Sequence, residues 1–129
     1  MTASLHIETT LMFAAIFGIL HVVFTLRVGR YRFKNKISLG DGGDKELRNR
    51  IRGHGNFIET VPIALLLLLL NDLNGLGDGP LMTLGVVLLV SRVVHYVMIV
   101  SRRLPMIFRP LSMLGTLGTI LVSALFLVI

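Results

Sequence analysis

Four apolar stretches, separated by three polar ones, organise the 129 residues. The first runs from about Leu11 to Val28 and carries no charge until Arg27. Met1 to Thr10 lacks the basic segment of a signal peptide, so this run reads as a retained membrane helix. The second starts as a charged helix near Lys45 and turns apolar from Ile58, through Ala64 and six successive leucines to Leu70. Pro62 falls within it; a proline there frees the Ile58 carbonyl and bends the helix, which membrane spans tolerate. The third and fourth runs begin close to Pro80 and Pro110, residues suited to a first helical turn, with Asp78 or Gly79 placed to cap the third. The predicted spans are about 8–30, 45–71, 80–101 and 109–128 of a single domain covering 1–129, since a bilayer crossing takes ~20 residues. The fold class is therefore all-α, an integral membrane four-helix bundle.

Composition agrees with this pattern: 53% of residues are hydrophobic, 16% are charged and the mean hydropathy is +0.80. Four spans leave little length for a separate soluble domain. The connections are rich in turn formers, above all Gly40-Asp41-Gly42-Gly43, where glycines permit positive φ. With no cysteine, the chain has no disulfide and no thiolate nucleophile of its own, so any sulfur chemistry uses a thiol carried by a substrate. With no tryptophan, anchoring at the interface falls to Tyr31, Tyr96, Lys and Arg.

The net charge of +6 is unevenly placed. Nine Lys or Arg lie between spans one and two (Arg27 to Arg52), three between spans three and four (Arg102, Arg103, Arg109), and none in the N-terminal tail or in the connection between spans two and three. The positive-inside rule then puts both basic loops in the cytoplasm and both termini outside, in a membrane of the bacterial inner type. Such a distribution suits anionic lipid and does not favour nucleic acid as a partner.

The remaining basic residue, Arg92, falls inside span three, where a charge costs ~2.5 kcal/mol or more unless paired. Glu59 is the acid at matching depth. It is twelve residues, about 18 Å, from Asn71, and Arg92 is twelve residues from Pro80. This predicts a Glu59–Arg92 ion pair, either a lock between helices or part of a site. Arg48, Arg52, Asn56 and Glu59 fall at roughly 0, 40, 80 and 20 degrees around one helix, and His95 follows Arg92 by one turn on the next. Several guanidinium groups with a carboxylate, an amide and an imidazole suit an anionic ligand that also carries an ammonium group. His21 reads as an interhelical hydrogen-bonding residue, His6 as part of the tail and His54 as ambiguous. No His, Asp or Glu spacing forms a metal site, and the glycine loop lacks the context of a phosphate-binding loop.

The stretch Glu46-Leu47-Arg48-Asn49-Arg50-Ile51-Arg52-Gly53-His54-Gly55-Asn56-Phe57-Ile58-Glu59-Thr60-Val61-Pro62 resembles the second-helix signature of the MAPEG proteins, membrane-associated proteins in eicosanoid and glutathione metabolism. Its core is R-x-x-x-N-x-x-E with a proline close behind. Length, four spans, a polar first loop and Arg92-x-x-His95 extend the resemblance over nearly the whole chain. It implies a homotrimer with glutathione, as co-substrate, between neighbouring subunits near the cytoplasmic side. By that resemblance Arg52, Asn56 and Glu59 are the helix-two glutathione contacts and His95 a helix-three contact. Arg92 is similar to the partner of Glu59, and Arg30, or alternatively Arg27, to the helix-one residue that reaches a glutathione carboxylate. Arg109 is similar to the arginine that stabilises the thiolate. A guanidinium at a helix start favours thiolate over thiol, and a hundredfold shift toward it takes about 2.7 kcal/mol.

The chain departs from the family pattern at Ile99, where several members carry tyrosine, and at Gly55, where one branch has arginine. The implied activity is transfer of glutathione to a lipophilic electrophile in the membrane, or reduction of a peroxide, rather than prostaglandin or leukotriene synthesis. The alternative is a non-catalytic membrane scaffold or lipid-binding bundle of the same fold. A transporter is disfavoured by four short spans without inverted repeats.

Overall fold

A computed structural model describes residues 7–129; His6 and the residues before it lie outside the described part. The described residues form four α-helices, α1 (Glu8–Asn35), α2 (Lys45–Leu73), α3 (Asp78–Val100) and α4 (Phe108–Val128). Each is long and apolar enough to cross a membrane. Successive helices run antiparallel. Residues 7–10 meet 72–78 at one end through Thr10 Oγ1 donating to Asp72 Oδ2 at 2.6 Å and Thr9 Oγ1 to Asp78 Oδ1 at 3.3 Å. The α1–α2 loop and the α3–α4 turn lie at the other end, so the cations of those connections and of the helix ends that flank them gather on one side.

Local chemistry sets the helix ends. α1 continues to Asn35 rather than stopping near Arg30, since Phe33 and the charged residues around it are compatible with helix beyond the apolar run. It closes on Lys36 in the left-handed conformation, φ 55°, whose N–H bonds the last-turn carbonyls. Gly40, Gly42 and Gly43 then all take positive φ, and Asp44 caps α2 by accepting from Leu47 N–H at 2.9 Å. α2 runs unbroken through Pro62. The cap of α3 is Gly77 rather than Asp78 or Gly79, which puts Pro80 at the third helical position, where a missing N–H still costs no bond. Pro110 holds the same position in α4.

One face of each helix is buried. On α2 the buried positions are Leu47 near its start and then Gly53, Phe57, Val61, Ala64, Leu68, Asn71 and Asp72, which from Gly53 onward fall on one face. Phe57, Val61, Ala64 and Leu68 pack on Phe13, Phe17 and Phe24 of α1 and on Leu81, Leu84, Leu88 and Tyr96 of α3. The Phe24 and Tyr96 rings stack with centroids 3.6 Å apart. Small residues let helices approach: a Cβ on Gly85 would fall 2.1 Å from Phe13 Cε2, and one on Gly115 2.1 Å from Ser91 Oγ. In lipid such close packing and interhelical hydrogen bonds replace the hydrophobic drive between helices. Asn71 supplies one, its amide donating to the Leu67 and Ser123 carbonyls at 2.8 Å each and so tying α2 to α4.

Candidate functional site

The centre of the site is Arg92, 2% exposed at mid-helix. Its Nη1 donates to Asn56 Oδ1 at 2.5 Å and to Thr60 Oγ1 at 3.2 Å, and its Nε and Nη2 have no partner among the described residues. The expected Glu59–Arg92 ion pair is therefore not formed within the subunit. Rotation about the helix axis decides the partner. Asn56 and Thr60 stand at roughly 80 and 120 degrees on α2 and flank the guanidinium, whereas Glu59 at about 20 degrees is turned away. Glu59 is exposed on the bundle's outer surface.

Asn56 also borders a cavity of about 700 Å³ that opens near the basic end of the bundle. Arg52 and Asn56 of α2, His95 of α3 and Arg109 of α4 line it together, with Asn49 and Arg102. Four of the residues expected to hold one ligand thus share one wall. Met98, Ile99, Met106, Pro110 and Met113 supply an apolar side. Three cationic side chains beside thioethers and aliphatic groups suit a ligand with a charged part and an oily part. Ile99 sits where a tyrosine would have added a polar group, and it extends the apolar side instead.

Arg30 is elsewhere. It belongs to a groove of about 1040 Å³ between α1 and α2, with Arg27, Tyr31, Lys34, Glu46 and Arg50. Arg50 is held there by Glu46 at 2.6 Å and packs over the Tyr31 ring, 4.8 Å from its centroid. Neither Arg27 nor Arg30 reaches the cavity of Arg52 and Arg109 within one subunit. At the loop, Arg48 Nε pairs with Asp41 Oδ2 at 2.6 Å. That guanidinium, with the Gly43 N–H, holds the Asp41 carboxyl below the usual carboxylate range. The Leu47 N–H and the Tyr31 hydroxyl do the same for Asp44. His54 Nε2 lies 3.0 Å from Thr25 Oγ1, whose proton goes to the His21 carbonyl, so the ring donates. The His21 ring packs against His54, centroids 5.4 Å apart.

Three contributors were not legible in the chain. Thr60, one turn after Asn56, shares the Arg92 guanidinium. Ser112, one turn into α4 after Arg109, lies with Oγ 3.0 Å from His95 Nδ1. Arg102 reaches the cavity from a turn in which its own φ is 52°. Only the one-turn spacing of Thr60 and Ser112 from residues already singled out offered a signal.

Comparison with known proteins bears on the same segments. The chain is similar to the inner membrane protein YecN of Escherichia coli K12 and to its counterpart in Escherichia coli O6:H1. Each is 38% identical over 85 residues, which are 66% of this chain and 65% of the relative. The match thus spans just under two thirds of the relatives' own length. No solved structure matches the chain. The profile of the MAPEG family matches residues 10–129, from the first turn of α1 through the end of α4 and including all four residues that share the cavity wall. On that coverage, the chain belongs to the MAPEG family.

Proposed function

We propose that this protein is a glutathione-dependent membrane transferase or peroxidase that activates the glutathione thiol for attack on a lipophilic electrophile. The observation that carries this is the convergence of Arg52, Asn56, His95 and Arg109, from three helices, on one cavity with an apolar side. Guanidinium groups bind the carboxylates of the tripeptide bidentately. Arg109, in the first turn of α4, adds its charge to a helix N-terminus and favours the thiolate. Thioether and aliphatic lining receives the electrophile from the bilayer.

The functional unit in this reading is a homotrimer. Glu59 shares an exposed stripe of α2 with Arg52, Ile63, Leu66 and Leu70. A carboxylate facing lipid at that depth costs ~2.5 kcal/mol or more, and a second copy packed along the stripe removes the cost. Such a copy also brings its own α1, and so an Arg30, toward the cavity that lacks one. The protein sits in an inner membrane, as the YecN relatives are described, with the basic end cytoplasmic by the positive-inside rule.

Titration calorimetry with glutathione in detergent tests the reading. Arg52→Ala and Glu59→Gln should each weaken binding by about tenfold or more, the scale of one lost charge-assisted contact. Arg109→Ala should abolish the ultraviolet thiolate band while leaving binding largely intact. Unchanged affinity in both binding variants would remove the assignment. The bond from Arg92 to Asn56 favours a second reading, a non-catalytic scaffold in which the polar residues only fix the bundle. That reading predicts that glutathione never raises the thermal midpoint.

A further inference from the structure

Two hydrogen bonds meet at the Ser112 hydroxyl. It donates to the Arg109 carbonyl at 3.0 Å, and it lies 3.0 Å from His95 Nδ1. A serine hydroxyl has one proton and a carbonyl oxygen can only accept, so that proton is committed to Arg109. The His95 ring must then donate from Nδ1 to Ser112 Oγ. In the neutral imidazole this fixes the tautomer and leaves the lone pair on Nε2. His95 is buried, 4% exposed, between α3 and α4, and it lines the cavity beside Arg52, Asn56 and Arg109. The same serine thus anchors the imidazole to the backbone of the arginine that begins the site's α4 wall.

A fixed lone pair directed from a buried ring is what a general base requires, with a second group holding the other nitrogen. We propose that His95 is the proton acceptor of the bound thiol, acting through Nε2, and that Ser112 is the positioning residue that sets its tautomer. This rests on the glutathione reading above. In the step, the thiol S–H bond breaks as Nε2–H forms. The sulfur electron pair then makes an S–C bond to the electrophile while the carbon–leaving-group bond breaks and the leaving group departs as an anion. The proton passes from Nε2 to water or to that anion, which restores neutral His95. Arg109 and His95 have separate tasks: the guanidinium offsets the charge on sulfur, and the imidazole removes the proton. The charged groups around the ring are Arg92 on its own helix, Arg52 on α2, Arg109 on α4 and Arg102 in the connecting turn. All are cationic, and guanidinium cannot itself take the proton near neutral pH.

Two measurements test this. Nitrogen NMR of protein labelled in its histidine rings should show His95 protonated at Nδ1 and bare at Nε2 near neutral pH, and Ser112→Ala should lose that bias. Kinetics with glutathione and a dinitro-activated aryl chloride should show kcat about 10²-fold lower in His95→Gln, the usual share of a general base. The KM for glutathione should move by no more than about threefold, because the Arg52 and Asn56 contacts to the bound tripeptide are kept. Ser112→Ala should lower kcat by about tenfold through the mixed tautomer. The proposal is overturned if the native ring carries its proton on Nε2, or if His95→Gln acts on KM alone. If native protein fails to bind glutathione in the calorimeter, the functional reading falls and this one with it. If it binds and His95→Gln still turns over at the native rate, only the role of His95 falls. Should His95→Gln fail to fold, the native ring spectrum and the Ser112→Ala kinetics decide.

Discussion

Deleting the Asn56 carboxamide isolates a buried cation. Arg92 holds five N–H donors in a 2% exposed position, and among the described residues its partners are Asn56 at 2.5 Å and Thr60 at 3.2 Å, both on Nη1. In Asn56→Ala the stronger of these bonds is lost and the hydroxyl of Thr60 remains alone. A hydrogen bond to a charged group is worth about 1.5–3 kcal/mol, and interhelical bonds in membranes average ~0.6 with a maximum of ~1.7. Because the group left behind is charged and enclosed, the upper part of that range applies, and the expected loss is about 2 kcal/mol. In an Arg92→Met background the same substitution should cost less than ~1 kcal/mol, since no charge then depends on it. The double-mutant cycle therefore carries a coupling of about 1–1.5 kcal/mol. Asn56→Asp keeps an acceptor at the same place and should be at least as stable as the native chain. The assay is reversible unfolding in mixed micelles, followed by helical circular dichroism as the fraction of denaturing detergent rises. A coupling below ~0.5 kcal/mol would refute the idea that Asn56 stabilises the bundle through Arg92.

Two further outcomes follow from particular contacts. Gly85→Ala would place a methyl group 2.1 Å from the ring of Phe13, itself 1% exposed, and the same unfolding assay should show a loss of about 1–3 kcal/mol, the usual cost of overpacking. Phe13→Leu in the same chain should recover part of it. In the α1–α2 loop, Asp41 and Asp44 both titrate below the usual carboxylate range, so their ionised forms favour the folded loop above the ordinary value of about 3.9. That contribution is lost as pH falls through the lowered values. The amide signals of Gly43 and Leu47, bonded to these carboxylates at 2.9 Å each, should move with midpoints below ~3.9, and midpoints at or above it would contradict the assignment.

The division between chain and fold runs through individual residues. Apolar length and the clustering of twelve cations in two connections are one-dimensional facts, and they suffice for four spans with both basic loops at one end. Depth is also one-dimensional, because each helical residue advances ~1.5 Å, and it brought Arg92 within a turn of its true partners. Which side chain faces Arg92 depends on the rotation of α2 and α3 about their axes. That is fixed by contacts such as Phe24 on Tyr96 and Phe13 against Gly85, which join residues far apart in sequence. A turn of about 80 degrees separates Glu59 from the face that Asn56 and Thr60 present, and no pattern along α2 alone measures it. The same holds for Arg30, set apart from the cavity by the spacing of α1 from α4, and for Ser112, whose hydroxyl matters only because α4 lies against His95. Lengths, depths and the charged end of this bundle can be read along the chain, because they follow from local propensity and solvent preference. Which polar groups meet is settled by packing, because hydrogen bonds between helices depend on a rotation about each axis that no single helix specifies.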